Sequence, residues 1–102
     1  MAQWHKLATV EAVPHGSARE LTAGGRVVAL FNVDGVFYAL DGICPHAGGP
    51  LGEGALAGCV VTCPWHGWQF DVTTGQHALN PRIEQVRFPV KIEGNDVWVE
   101  IP

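Results

Sequence analysis

Residues 26–40 read RVVALFNVDGVFYAL. Two runs rich in β-branched and aromatic residues, 26–33 and 36–40, flank the dipeptide Asp34-Gly35. Asp-Gly between such runs is a favoured two-residue hairpin turn, because its twist matches that of the strands it joins. Working outward, the same theme recurs. Phe88, Val90 and Ile92 alternate with Arg87, Pro89, Lys91 and Glu93. After Gly94-Asn95-Asp96, Val97, Val99 and Ile101 alternate with Trp98 and Glu100. That pattern predicts a second hairpin with one buried face, its first strand running over 86–92. Residues 4–10 read as an edge strand, and Glu20-Leu21 as another before Gly24-Gly25. No window carries a 3.6-residue period. The fold class expected is all-β, built from short antiparallel strands.

The chain has 102 residues, enough for one domain over 1–102 and too few for a second one holding a substrate. Hydrophobic residues make up 47 %, so a core is possible without staples, and 13 glycines with 7 prolines imply many turns. Six basic against ten acidic residues leave a formal net charge of −4. This excludes nucleic acid, which needs a cationic footprint, and argues against an anionic membrane surface. A basic protein surface remains open as a partner. The three cysteines, Cys44, Cys59 and Cys63, are odd in number and sparse, unlike a secreted disulfide scaffold. The start shows no signal-peptide pattern, and the longest apolar run, 27–31, is too short to span a bilayer. A soluble, cytoplasmic protein with free thiols is expected.

The middle of the chain differs. Residues 41–58 (DGICPHAGGPLGEGALAG) hold six glycines and two prolines and predict a loop rather than a strand. A second irregular stretch begins at Cys63-Pro64. Between them 59–62 is apolar and β-branched, and 68–72 alternates afterwards, so two loops flank a hairpin-like pair of strands. Loops on a β scaffold are where chemistry tends to sit. The first loop contains Cys44-Pro45-His46 and the second Cys63-Pro64-Trp65-His66. Each offers one thiolate and one imidazole at a spacing that one turn can present to the same point, and both are ligands for transition metals. A mononuclear zinc site of two Cys and two His is one solution. Zinc sites commonly pair Cys with Cys and His with His, whereas each half here is mixed. That favours two metals, one taking both thiolates and the other both imidazoles.

Cys-x-His, sixteen residues, then Cys-x-x-His resembles the Rieske [2Fe–2S] motif, in which two His replace two Cys on one iron. The second box, Cys-Pro-Trp-His-Gly-Trp continued by Gln-Phe-Asp-Val-Thr-Thr-Gly, resembles that family's second loop in detail, and the likeness covers nearly the whole chain. It implies the Rieske fold, stacked small antiparallel sheets with two cluster-binding loops at one tip, the cluster-binding part lying at about residues 42–82. It implies that Cys44 and Cys63 bind an inner iron, and His46 and His66 an outer, solvent-facing one. The high-potential members carry a disulfide between positions that here are Gly49 and Trp65. They also place sulfur-bonding hydroxyls at positions that here are Trp68 and Phe70. The chain therefore resembles the ferredoxins of bacterial oxygenase systems.

The resemblance implies a one-electron carrier, not an enzyme, passing electrons from a flavin-dependent ferredoxin reductase to a terminal oxygenase. The small Rieske subunit of a nitrite reductase, bound to its large subunit, is the nearest alternative, and a non-redox zinc-binding module the alternative of another class. Outside the motif, His5, His15 and His77 read as ordinary polar or capping residues, and Cys59 as a small buried hydrophobe. Asn80-Pro81-Arg82 resembles the family's proline loop over the cluster. Pro50, Leu51 and Trp65 read as shielding or packing residues.

Overall fold

The computed structural model describes residues 2–45, 48–65 and 67–102. The predicted hairpin is present: Arg26–Val33 (β3) pairs with Val36–Asp41 (β4), with Val33 opposite Val36. Asp34 and Gly35 both take positive φ, 52° and 86°, as a type I′ turn demands. His15 caps the turn, its Nδ1 accepting the Asp34 N–H at 2.9 Å. Ala18–Ala23 (β2) lies on the other side of β3, so the strand suggested by Glu20-Leu21 is longer than those two residues.

Three small antiparallel sheets result. The four-stranded one has the order β2-β3-β4-β8, where β8 is Arg87–Phe88. A second consists of Gln3–Thr9 (β1), Asp96–Ile101 (β10) and Val90–Glu93 (β9), in the order β1-β10-β9. The third is Ala55–Ala57 (β5), Val60–Thr62 (β6) and Gln69–Asp71 (β7), in sequence order. The four-stranded sheet is the middle layer, and β3 shows why. Val28 and Leu30 pack into one core with Phe37, Phe88, Val97, Val99 and Ile101. Ala29 and Phe31 pack into another with Leu40, Leu51, Val61, Phe70 and Val72. A strand buried on both faces must be apolar throughout, which is why Val28, Ala29, Leu30 and Phe31 form an unbroken run.

The structure corrects the sequence reading at four places. The strand expected over 86–92 is split at Pro89: β8 pairs with β4, β9 with β10. Proline has no N–H for a ladder, and its carbonyl instead accepts the Glu100 N–H, so the chain changes sheets there. Phe88 is buried but Ile92 is exposed, so the alternation does not share one buried face. Within 41–58 there is a strand after all, β5, held by pairing with β6. Cys59 precedes β6 in a turn and is half-buried, packed against the second core rather than enclosed by it. Residues 68 and 72 fall just outside β7.

Candidate metal centre

The second irregular stretch is the loop of the β6–β7 hairpin. Thr62 pairs with Gln69, leaving six residues between them, beginning with Cys63. The Cys63 N–H closes the loop on the Trp68 carbonyl at 2.7 Å. The first stretch is built the same way. Ile43 bridges Pro50, and six residues beginning with Cys44 lie between them. The Cys44 N–H closes that loop on the Gly49 carbonyl at 2.9 Å. Four residues after each cysteine stands a glycine with left-handed backbone, Gly48 at φ 76° and Gly67 at φ 73°. A side chain in that region costs roughly 1–2 kcal/mol. The shared Cys-x-x-x-Gly spacing, 44–48 and 63–67, is the signal in the sequence that marks both loops.

The loops touch. A Cβ on Gly49 would lie 2.8 Å from Cys63 Sγ and 2.9 Å from Trp65 Cβ, closer than real atoms approach. Positions 49 and 65, the disulfide positions of high-potential relatives, thus abut without a covalent link. Only glycine leaves room there for Trp65 and the Cys63 sulfur.

Cys44 and Cys63 are each 1 % exposed and share the second core with Leu51, Val61 and Phe70. Neither forms a disulfide. The two thiols lie close enough for each to act on the other's ionisation. Burial pushes the Cys63 thiol above the ordinary thiol range and the Cys44 thiol pushes it the same way, while the Trp65 backbone N–H pulls it down. Two sulfurs enclosed together become thiolates readily only opposite a cation, and an iron pair supplies that charge. The donors described therefore fit the thiolate half of an iron–sulfur site. His46 and His66, the other two expected ligands, lie outside the described residues.

Of the remaining expectations, Leu51 is core packing. Trp65 is half exposed, and Pro50 half-buried. His77 caps, as expected: its Nδ1 accepts the N–H groups of Leu79 and Asn80 at 3.1 and 3.2 Å. Its ring also meets Trp68 and Phe70 edge-on, with centroids 4.8 and 5.4 Å away. Asn80-Pro81-Arg82 is a turn, closed by the Asn80 side chain on the Arg82 N–H. Leu79 lines a cleft of about 140 Å³ with Gly67, Trp68 and Gln69, which puts this turn beside the second loop.

A family model for the Rieske [2Fe-2S] domain matches residues 3–91. The chain belongs to the Rieske [2Fe–2S] domain family. The ferredoxin component of the naphthalene 1,2-dioxygenase system of Pseudomonas aeruginosa is 33 % identical, over 97 % of this chain and 96 % of its own. The solved Sphingomonas yanoikuyae B1 ferredoxin superposes with a TM-score of 0.88 at 30 % identity, covering 98 % of this chain and all of that one. A chain from the complex of reduced oxygenase and oxidized ferredoxin in carbazole 1,9a-dioxygenase superposes with a TM-score of 0.86 at 33 % identity, over 94 % and 91 %. This Rieske ferredoxin is thus an electron-carrying component of a multicomponent system rather than an enzyme with its own turnover, and its cofactor is a [2Fe–2S] cluster. The zinc module and the nitrite reductase subunit give way to that reading. Among the described residues no helix is long and apolar enough to cross a membrane.

Proposed function

We propose that Cys44 and Cys63 hold one iron of the cluster and His46 and His66 the other. The cluster-binding part would then span about residues 42–82 of a single domain over 1–102. The observation that carries this is the pair of thiols buried in one core at the base of two adjoining loops closed in the same way. When bound, the cluster takes up and releases one electron. The protein's own residues prepare the place for it. The two thiolates offset iron charge, and the closed loops hold them still. Trp65 packs against Gly49 where the two loops meet.

The electrons come from a flavin-dependent ferredoxin reductase and go to a terminal oxygenase. The ferredoxin-and-oxygenase complex of carbazole 1,9a-dioxygenase supports this reading, as does the naphthalene system of the bacterial relative. Exposed Ile43, Trp65, Leu79 and Val86 lie on segments that carry or adjoin the ligand loops, so a partner docking there would find apolar surface close to the cluster. A net charge of −4 suits a basic partner surface. The free cysteines fit a cytoplasmic location.

Electron paramagnetic resonance of the dithionite-reduced protein tests the ligand set. The wild type is expected to give a Rieske signal, and Cys44→Ser and Cys63→Ser to lose it with their iron. Cys59→Ala is expected to keep full iron content. An unchanged spectrum in Cys44→Ser, or iron loss in Cys59→Ala alone, would overturn the assignment.

A further inference from the structure

Among the described residues two polar side chains are buried, Asn32 and Gln85. Asn32 serves the β3–β4 hairpin, donating to the Val13 carbonyl and accepting the Gly35 N–H. Gln85 is only 7 % exposed and has a different task. Its Nε2 donates to two carbonyls, Asp41 at 2.9 Å and Ile43 at 2.6 Å, while its Oε1 accepts the Val86 N–H at 3.1 Å. The amide orientation follows from these partners, since two carbonyls can meet only the NH₂ end. The Gln85 N–H in turn donates to the Gly75 carbonyl at 2.7 Å. One residue therefore ties three segments together: the start of the first ligand loop, the turn after β7, and the approach to β8.

The Ile43 carbonyl belongs to the same peptide unit as the Cys44 N–H, the group that closes the first loop on Gly49. Fixing one end of that rigid plane fixes the other. The side chain of Asp41 adds to the brace, its Oδ1 accepting the Ile43 N–H at 3.0 Å. Resting on the assignment of Cys44 as a ligand, we infer that Gln85 is a positioning residue for the cluster: its carboxamide clamps the peptide leading into Cys44 and so sets how that thiolate meets iron. Outer partners of this kind hold ligands in place and tune the metal's electronics. A loosened peptide lets the sulfur and its surrounding dipoles move as the electron arrives, which alters the reduction potential and eases loss of iron.

The test compares Gln85→Leu, Gln85→Glu and Asn32→Leu with the wild type, all as cluster-loaded protein. Gln85→Leu takes the side-chain donor away from the Asp41 and Ile43 carbonyls. It is expected to shift the midpoint potential and the resonance g values, and to lose visible absorbance to a chelator at least tenfold faster. Asn32→Leu, which also takes away a side-chain donor but far from the loops, is expected to lower the denaturation midpoint and leave potential and g values as in the wild type. Gln85→Glu keeps the shape and the Val86 contact but turns the donors into acceptors. Two facing carbonyl oxygens and the nearby Asp41 carboxylate disfavour its ionised form, so its potential and g values should depart from the wild type's more at pH 8 than at pH 6, where a protonated carboxyl regains one donor. Wild-type potential, g values and chelator rate in Gln85→Leu would overturn the role. If Gln85→Leu takes up no cluster, Gln85→Glu decides, and a potential, g values and cluster content matching the wild type's at pH 8 count against the inference. Cys44→Ser, run in parallel, shows separately whether the ligand assignment itself stands.

Discussion

At the scale of single residues, burial and hydroxyl placement set the site's chemistry. Cys63 titrates above the ordinary thiol range because it is buried beside another thiol. In the cluster-free protein the folded state therefore keeps its proton where the unfolded chain, with a thiol pKa of about 8.5, begins to lose it. The folded state then binds more protons, so cluster-free stability should fall as pH rises above about 8.5. Cluster uptake should run the other way and improve with pH, since iron must displace those protons. Denaturation of the cluster-free chain and reconstitution yield, each from pH 6 to 10, check the two opposite slopes; parallel slopes would contradict them. Position 70 bears on the potential. Phe70 is fully buried in the second core, and with Trp68 it occupies a place where high-potential relatives carry a sulfur-bonding hydroxyl. Rieske centres span roughly −150 to +300 mV, and the expectation here is near or below about −50 mV at pH 7. Phe70→Tyr should raise the potential without loss of stability if the new hydroxyl reaches a sulfur. A hydroxyl left unsatisfied would instead cost about 1–3 kcal/mol and leave the potential unchanged, so voltammetry with a melting curve separates the cases. A wild-type midpoint well above about +100 mV would show that the missing hydroxyls do not set it.

At the scale of elements, the two Cys-Pro loops are one device used twice, and the glycines are its common part. Among the described residues nothing lies within 4 Å of a Cβ built on Gly48 or Gly67, so the cost of Gly48→Ala or Gly67→Ala is set by the backbone conformation, roughly 1–2 kcal/mol each. Gly49→Ala is different in kind, because its Cβ would collide with the Cys63 sulfur. The first two variants should lower the melting temperature and still carry a cluster with near-wild-type absorbance. Gly49→Ala should lose the cluster, as measured by iron per chain. The hairpin at Asp34-Gly35 and the two Cys-Pro loops were legible in the sequence because local chemistry dictates them. The split at Pro89 was not, because alternation over 86–92 says nothing about which sheet each half joins. Gln85 was equally hidden: a lone glutamine between strands is ordinary until long-range folding brings the Asp41 and Ile43 carbonyls to it. The strand β5 escaped for the same reason, since Ala55–Ala57 owes its form to its partner β6.

At the scale of the whole molecule, the middle sheet separates two cores with different duties. One core, between the β1-β10-β9 sheet and the middle sheet, is plain packing. The other ends at the Cys44 and Cys63 thiols, so the proposed cluster end of the molecule rests on the second core. Partners must reach that end, and two forces would bring them there. The acidic balance acts at a distance and is screened once the Debye length shrinks, from about 30 Å at 0.01 M salt to about 8 Å at 0.15 M. The apolar side chains act on contact and are insensitive to salt in this range. Electron delivery from a reductase with a basic docking face should therefore slow as ionic strength rises. Leu79, 87 % exposed, can be altered without disturbing the core. Burying a leucine in a contact is worth about 1.5–3 kcal/mol, so Leu79→Ser should weaken docking by roughly ten- to a hundredfold. That loss should appear at every salt concentration and leave the salt slope unchanged, whereas reversing acidic residues should flatten the slope. Stopped-flow reduction of the wild type and Leu79→Ser across a salt series reads both quantities. A rate independent of salt would remove the electrostatic part, and an unaltered affinity in Leu79→Ser would place the docking face elsewhere than beside the ligand loops.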